Sequence, residues 1–231
     1  MGTEYQAEFM ERIERTPAAN SYRFKMSAGL KFTAGQYMMV DLGRELVHPL
    51  SLSDCPEESR FIEFTKRMTG SEYCKRLESL KKGEMISVKG PEGKFGLTET
   101  DGNIIMIAGG IGITPIRSIL KSLEKKKGET PGVVLIYGNN NKDDIAFREE
   151  LENLQLFDYK LVHVLEDNSG MEKTDKGYIT AEIIARELTV MRSPVHMISG
   201  PPSIVKATKE ALAALDVPEE LIRTDIFIGY N

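Results

Sequence analysis

The chain has 231 residues, of which 41% are hydrophobic and 28% charged, a composition typical of globular proteins. A net charge of −5 argues against a general nucleic-acid binder, and the two cysteines are too few for a disulfide framework or a four-thiolate iron–sulfur cluster. Because no segment approaches the about 18 apolar residues of a membrane span, and the acidic N-terminus lacks the apolar core of a secretory signal, we expect a cytoplasmic protein.

The N-terminal part of the chain, up to about Lys89, contains short strand-like segments that turn-forming residues separate. The strand-like segments are residues 4–16, 21–28, 35–42, 48–54, 60–68 and 85–90. One helical segment, from Ser71 to Leu80, precedes the last of them. Six closely spaced strands with one helix predict a small antiparallel β-barrel.

After Gly102 the pattern changes to apolar strands that alternate with helices. The strands are predicted at residues 103–110, 132–139, 160–167 and 195–200, and the helices from Thr114, around Leu151, from Thr180 and from Pro202. This alternation predicts a Rossmann-like α/β domain with a parallel sheet covered on both faces. We place the boundary within residues 93–102, so that residues 1–98 form a barrel domain and residues 99–231 an α/β domain.

The first strand of the second half runs into a glycine-rich turn, Gly109 to Gly112. Ligands of parallel sheets bind beyond the carboxyl ends of the strands, and Gly110 and Gly112 would let the backbone approach a pyrophosphate. Thr114 is a suitable N-cap and Pro115 a suitable first helical residue, so free amides would face the anion. The turn lacks the third glycine of the dinucleotide fingerprint, and a tight turn without ligand or a methyltransferase-like nucleotide fold are the alternatives.

Seven segments in the same order resemble those of the ferredoxin–NADP reductase family. They are FTAGQYMMVDL at 32–42, HPLS at 48–51, GPEGKF at 90–95, the GGxGxTP-like loop at 109–115, LIYGNNNKDDIAFREELENL at 135–154, SGPPSIV at 199–205 and FIGY at 227–230. The resemblance implies a flavin-binding barrel beside a nicotinamide-nucleotide domain. It also implies a flavin-dependent oxidoreductase that moves a hydride from NAD(P)H to bound FAD and electrons onward to an unidentified acceptor.

The resemblance also implies which residues meet the cofactors. Flavin contacts would come from His48, Pro49, Leu50, Ser51, Leu52, Thr65, Lys66, Gly70 and Ser71. Nucleotide contacts would come from Gly109, Gly110, Gly112, Thr114, Pro115, Asn139, Asp144, Gly200 and Pro201. Catalytic positions would be Ser51 near flavin N5, Ser199 near the nicotinamide, and Tyr230 over the flavin ring, where it would also bind the cofactor. No metal site is expected, and His163 and His196 are expected to be structural.

Two residues depart from the family pattern within the flavin segment. His48 stands where the family has arginine, so a group that titrates near neutrality replaces a permanent cation. Leu50 stands in place of tyrosine and removes an aromatic plane. Both departures affect the expected affinity for flavin. They therefore leave a free-flavin reductase, which releases its flavin, as an alternative to an enzyme that keeps FAD bound. FMN is an alternative to FAD as the bound flavin.

The nicotinamide nucleotide is expected to be NADH in preference to NADPH. Asparagines and the carboxylates Asp143 and Asp144 follow the second strand of the α/β half, and no arginine stands at the strand end. Carboxylates favour a free ribose hydroxyl over a phosphate. The electron acceptor, for which a redox protein is one candidate, is not encoded in any motif. An electron-transfer subunit of a larger complex and a nucleotide-sensing module remain the alternatives from other functional classes.

Overall fold

The first half of the chain forms an antiparallel sheet of six strands. The computed structural model describes residues 2–27, 29–57, 61–126, 130–189 and 191–227. The strands are β1 (Thr3–Thr16), β2 (Ala19–Met26), β3 (Tyr37–Asp41), β4 (Val47–Ser51), β5 (Ile62–Arg67) and β6 (Met85–Glu92), with helix α1 (Glu72–Glu78) between the last two. The strand order is β4-β3-β6-β1-β2-β5, and a bridge between Leu52 and Phe64 brings the two edge strands together. The predicted antiparallel barrel with one helix is therefore confirmed as a strongly curled sheet.

Aromatic and branched side chains fill the inside of this curled sheet. Phe9, Tyr22, Phe24 and Phe64 are buried there, and the rings of Phe9 and Phe24 lie 5.5 Å apart between centroids. Such residues have high strand propensity because they pack well on a pleated surface. Their burial fixes which face of each strand points outward, and so which residues of β4 can meet a ligand.

The second half forms a parallel sheet of six strands. These are β7 (Ile104–Gly109), β8 (Val133–Asn139), β9 (Tyr159–Leu165), β10 (Asp175–Lys176), β11 (Val195–Gly200) and β12 (Ile222–Ile226), in the order β10-β9-β8-β7-β11-β12. Its helices are α2 (Ile113–Lys125), α3 (Arg148–Glu152), α4 (Ala181–Leu188) and α5 (Pro202–Ala214). The predicted α/β architecture is confirmed, while the two edge strands β10 and β12 were not predicted because they are short and partly exposed.

The glycine turn and the first helix differ from the prediction. Residues 110–112 form a single 3₁₀ turn, α2 begins at Ile113, and Gly112 occupies the N-cap position. Thr114 is therefore not the N-cap, and its hydroxyl instead donates to the Ile111 carbonyl at 3.1 Å. Pro115 lies inside the first turn, where its missing N–H has no helical partner to lose.

Helix α3 is shorter than the apolar pattern predicted. Phe147 has a left-handed backbone, with φ 59°, and precedes the helix instead of lying within it. Its ring is nevertheless buried, as is the side chain of Leu151. No helix among the described residues is both long and apolar enough to cross a membrane.

Candidate active site

A cavity of about 430 Å³ opens at the carboxyl ends of the parallel strands. It is bounded by predicted nucleotide contacts, by residues of the second half that were not predicted, and by residues of the barrel. The predicted contacts in its lining are Gly109, Gly110, Asn139, Asp144 and Pro201. The further lining residues include Glu166, Tyr178, Ile179 and Ile204, and from the barrel Thr16, Ala19 and Arg67. The cavity therefore lies between the two sheets.

Two of the glycines in the turn have different surroundings. A Cβ on Gly110 would meet no atom within 4 Å, and the backbone of Gly110 has a φ of 50°. A Cβ on Gly112 would lie 2.2 Å from the Ser199 carbonyl oxygen, and Gly112 does not line the cavity. Gly110 thus opens toward a ligand, whereas Gly112 allows the turn to pack on β11. The expectation that both glycines approach a ligand is revised accordingly.

Three other predicted nucleotide contacts lie outside the cavity lining. Thr114 and Pro115 are buried in the first turn of α2, and the Thr114 hydroxyl is used within that turn. Gly200 ends β11, and its carbonyl accepts a hydrogen bond from the Phe227 amide at 3.0 Å. These residues shape the floor beneath the cavity and present no side chain to it.

The polar side chains of the cavity lining include two amides and two carboxylates, those of Asn139, Asn140, Asp144 and Glu166. Both polar side-chain atoms of Asn139 are buried and lack a hydrogen-bond partner in the described part of the chain. Asn140 donates to the Asp144 carboxylate at 2.7 Å. Glu166 follows the end of β9 and was missed, although a carboxylate directly after a parallel strand is a signal that could have identified it. These amides and carboxylates can accept hydrogen bonds from ribose hydroxyls.

The two halves of the chain also meet at Ser51. Its hydroxyl donates to Asp225 Oδ2 at 3.5 Å, a contact between β4 and β12 that joins residues 174 positions apart. Burial raises the pKa of Asp225 to about 6, and the Ser51 hydrogen bond opposes that rise. Ser199 pairs with Asp225 in the strand register, and its buried hydroxyl has no hydrogen-bond partner among the described residues. Asp225 was missed because β12 was not predicted.

The side chains of the predicted flavin segment alternate between the barrel core and its outer face. The side chains of Leu50 and Leu52 are 5% and 0% exposed and belong to the core, so they are turned away from the outer face of the segment. Pro49 and His48 are exposed. The His48 ring lies 4.1 Å from the Tyr73 ring between centroids. Only the backbone of the two leucines can contribute to a flavin site.

Basic and hydroxyl groups surround the outer edge of this segment. Burial and then the neighbouring Lys66 ammonium lower the pKa of His48 below its usual value. Lys66 itself lies 5.8 Å from the centre of the Tyr73 ring. Gly70 and Ser71 are exposed just before α1, where the Ser71 hydroxyl accepts from the Cys74 amide at 3.3 Å. Lys66 is 5% exposed, so of these two basic groups the exposed His48 is the one open to a flavin phosphate.

The remaining predicted residues have other positions. The Thr65 hydroxyl is buried within 2.7 Å of the Ser21 hydroxyl and 2.9 Å of the Ser53 hydroxyl, so it is used inside the barrel. Tyr230 lies outside the described residues. His163 and His196 are buried in β9 and β11 as expected, and burial lowers the pKa of His196 to about 4. Across the described ranges, no three His, Cys, Asp or Glu side chains are grouped as metal ligands would be.

Comparison with known proteins matches each half of the chain to a separate family model. The model described as an oxidoreductase FAD-binding domain matches residues 7–96, and the one described as an oxidoreductase NAD-binding domain matches residues 106–210. NADH-cytochrome b5 reductase 1 of Cryptococcus neoformans is 32% identical over 220 residues, which cover 85% of this chain and 74% of the relative. The protein of the same name from Debaryomyces hansenii is 30% identical over 223 residues, covering 88% and 77%.

Solved structures share the fold over nearly the whole chain. The cytochrome b5 reductase domain of Ulva prolifera nitrate reductase has a TM-score of 0.87 at 21% identity, covering 96% of this chain and 97% of that one. A ferredoxin NADP+ reductase from Neisseria gonorrhoeae with bound FAD and NADP has a TM-score of 0.81 at 18% identity, covering 98% and 99%.

Proposed function

The chain belongs to the ferredoxin reductase-like family of FAD- and NAD-binding oxidoreductases, and from this premise we propose that it passes electrons from NADH through FAD to a one-electron redox protein. Bound FAD would supply the redox chemistry, namely two-electron exchange with the nicotinamide, coupled to one proton, and one-electron exchange with the acceptor. The protein supplies the positions of both cofactors and the charges around them.

One observation carries the proposal, namely that the barrel and the parallel sheet meet both at the nucleotide cavity and at β4, where the family segment would place the flavin. The cavity at the carboxyl ends of the parallel strands is lined by residues of both sheets. Ser51 of the barrel meets Asp225 of the second sheet at a second contact, outside the lining of this cavity. A nicotinamide ring that extends from the cavity along β11 would reach β4, where the family segment places the flavin. This arrangement supports direct hydride transfer between the two cofactors.

We assign to Ser51 and Asp225 the handling of a proton beside the flavin. The Ser51 hydroxyl is nearly buried and donates to the Asp225 carboxylate. Because the pKa of Asp225 is raised to about 6, this carboxyl group can both hold and release a proton close to neutral pH. A hydroxyl that faces this carboxyl group on one side and the flavin on the other can pass the proton between them.

The redox-protein acceptor is supported by the relatives, which are named as reductases of cytochrome b5. The experiment loads the chain with FAD, removes unbound flavin by gel filtration, and measures anaerobic reduction of cytochrome b5 by NADH. Retained flavin and haem reduction without added flavin support the proposal. A colourless protein that oxidises NADH only when flavin is added would instead identify a free-flavin reductase, the second candidate that the exposed His48 and the missing arginine favour.

Glu166 should determine the preference for NADH over NADPH. Its carboxylate lines the cavity together with Asp144, so a 2′-phosphate placed there would meet like charge. We expect Glu166→Arg to raise the ratio of kcat/KM for NADPH to that for NADH by about tenfold or more, equivalent to about 1.4 kcal/mol. Steady-state kinetics with both nucleotides measure the ratio. Glu172→Arg, which makes the same charge change at an exposed position outside the cavity lining, is the matched control. An unchanged ratio in the Glu166 variant would remove Glu166 from the ribose site.

His48 should make flavin binding depend on pH. Burial and Lys66 keep its pKa below 6.5 in the free protein, and a bound flavin phosphate would raise that pKa. Flavin binding should therefore be tightest below the pKa that His48 has in the free protein, and it should weaken as pH rises through the pKa that His48 has in the complex. The total loss of affinity is about tenfold for each pH unit that separates the two pKa values. His48→Arg should tighten binding and flatten the profile, because arginine stays charged. Fluorescence titration of flavin over this pH range provides the dissociation constants, and a constant value in the unmodified protein would contradict the assignment.

A further inference from the structure

A buried arginine of the second sheet's first helix is bonded to the barrel. Arg117 lies on α2 and is 6% exposed. Its Nη1 donates to the Ser53 carbonyl and, at 3.3 Å, to Glu63 Oε1, and both of these acceptors belong to the barrel. Its Nε and Nη2 form a forked pair with the Glu150 carboxylate at 2.7 and 2.8 Å, within the second half of the chain. One guanidinium thus bonds both halves at once.

An aromatic ring holds this guanidinium in place. The Phe147 ring centre lies 4.4 Å from Arg117 Cζ and 4.7 Å from Arg15 Cζ, so the ring contacts a cation from each half. The left-handed backbone of Phe147 directs the ring to this position. A phenylalanine rarely adopts such a φ, and residues held in sparsely populated backbone regions persist where surrounding contacts over-determine them.

Arg117 is one of three arginines that hold the pKa of Glu63 below its usual value against the effect of burial. The Glu63 carboxylate also accepts from Arg15 at 3.1 Å and from Arg23 at 2.8 Å. These partners come from β1 and β2 of the barrel itself. What Arg117 adds is a fixed geometry between the barrel and α2, because a planar fork bonded at both ends permits little relative movement.

The two ends of this link adjoin the two cofactor sites. Helix α2 begins directly after the turn that contains Gly110, and Ser53 follows Ser51 by two residues. We propose that Arg117 is a positioning residue that sets the distance between the nicotinamide held at the turn and the flavin held at β4. The inference rests on the proposed function. On this inference, Arg117 affects the rate at which the hydride, with its two electrons, passes from C4 of NADH to N5 of FAD. Replacement of Arg117 should leave the affinity for either cofactor unchanged.

The test replaces Arg117 with methionine, which keeps an unbranched apolar stem and removes the guanidinium and its hydrogen bonds. The matched control is Arg76→Met, because Arg76 also donates to a backbone carbonyl, that of Leu42, and to a carboxylate, that of Glu84, with all partners inside the barrel. Anaerobic stopped-flow reduction of the FAD-loaded proteins by NADH gives the rate, and titration with NAD+ gives the affinity. Distances between spin labels at Lys25→Cys and Lys206→Cys, one on each half, report the relative placement without any turnover.

We expect the Arg117 variant to reduce its flavin about 10- to 100-fold more slowly, the scale of a misplacement of about 1 Å, with an unchanged NAD+ dissociation constant and a broadened label distribution. Arg117→Lys keeps the charge but not the forked guanidinium, so its rate of flavin reduction should lie between those of the unmodified protein and the methionine variant. It also provides the test if the methionine variant does not fold. The Arg76 variant should match the unmodified protein. A wild-type rate with an unchanged label distribution in both Arg117 variants would overturn the proposal, whereas unmodified protein that NADH does not reduce would instead contradict the proposed function.

Discussion

Gly112→Ala should destabilise the protein by about 3 kcal/mol or more, the upper end of the cost of overpacking. A Cβ at this position would lie 2.2 Å from the Ser199 carbonyl oxygen and 2.6 Å from the Gly200 Cα. Both obstructing groups are backbone atoms of β11, which is paired on both sides and cannot move away without breaking the sheet. In a chain of this size the loss corresponds to a melting temperature lower by roughly 6 to 12 °C. Thermal denaturation followed by circular dichroism measures it.

Gly110→Ala is the matched control for this substitution. Its added methyl group would meet no atom within 4 Å, and the left-handed φ of 50° costs about 1–2 kcal/mol for alanine, less than the clash at Gly112. This variant should therefore fold, retain FAD and bind NADH more weakly, because the methyl group projects into the cavity. If the Gly112 variant melts at the wild-type temperature, or if the Gly110 variant is the less stable of the two, the assignment of Gly112 to packing and of Gly110 to the ligand is contradicted.

Ser51→Ala should slow reduction of the bound flavin by about 100-fold, the scale of losing one donor at a reacting centre. The Ser51 hydroxyl donates to Asp225, and the proposed function places it beside flavin N5. Folding should change little, because a single long hydrogen bond contributes about 1 kcal/mol or less to stability. Stopped-flow reduction beside a thermal melt separates the two effects.

Ser51→Thr is the control for the hydroxyl itself, since it retains the donor on a strand where β-branched residues are well tolerated. It should keep most of the wild-type rate. A Ser51→Ala protein that is reduced within about threefold of the wild-type rate, where donor loss predicts about 100-fold, would show that neither Ser51 nor its contact with Asp225 handles a proton.

Elements with a strong periodicity could be predicted from the sequence. The six barrel strands and α1 have the predicted order, and the central strands of the parallel sheet coincide with apolar runs. The start of α2 was predicted wrongly because Thr114 and Pro115 are favoured at helix starts. In the structure the 3₁₀ turn at residues 110–112 leads directly into α2, so the helix begins before Thr114. Local propensity cannot detect a turn that is set by packing against β11.

The parts of the site that the sequence did not reveal depend on contacts between distant segments. Ser51 and Asp225 are 174 positions apart and meet only because β4 and β12 are brought together by the fold. Arg117 has the sequence context of an ordinary helical cation, and its burial results from the barrel that covers that face of α2. The core position of the Leu50 and Leu52 side chains could not be read from the motif, because a motif specifies residues in order, whereas the pleat decides which of them face the core.

Anaerobic titration of the FAD-loaded chain with NADH tests the central claim, that barrel-bound flavin takes a hydride from a nucleotide held at the parallel sheet. The absorbance of oxidised flavin should disappear in proportion to added NADH and be complete at equimolar amounts, because each NADH delivers both electrons that the flavin accepts. Flavin that stays bound and oxidised in excess NADH would contradict this account.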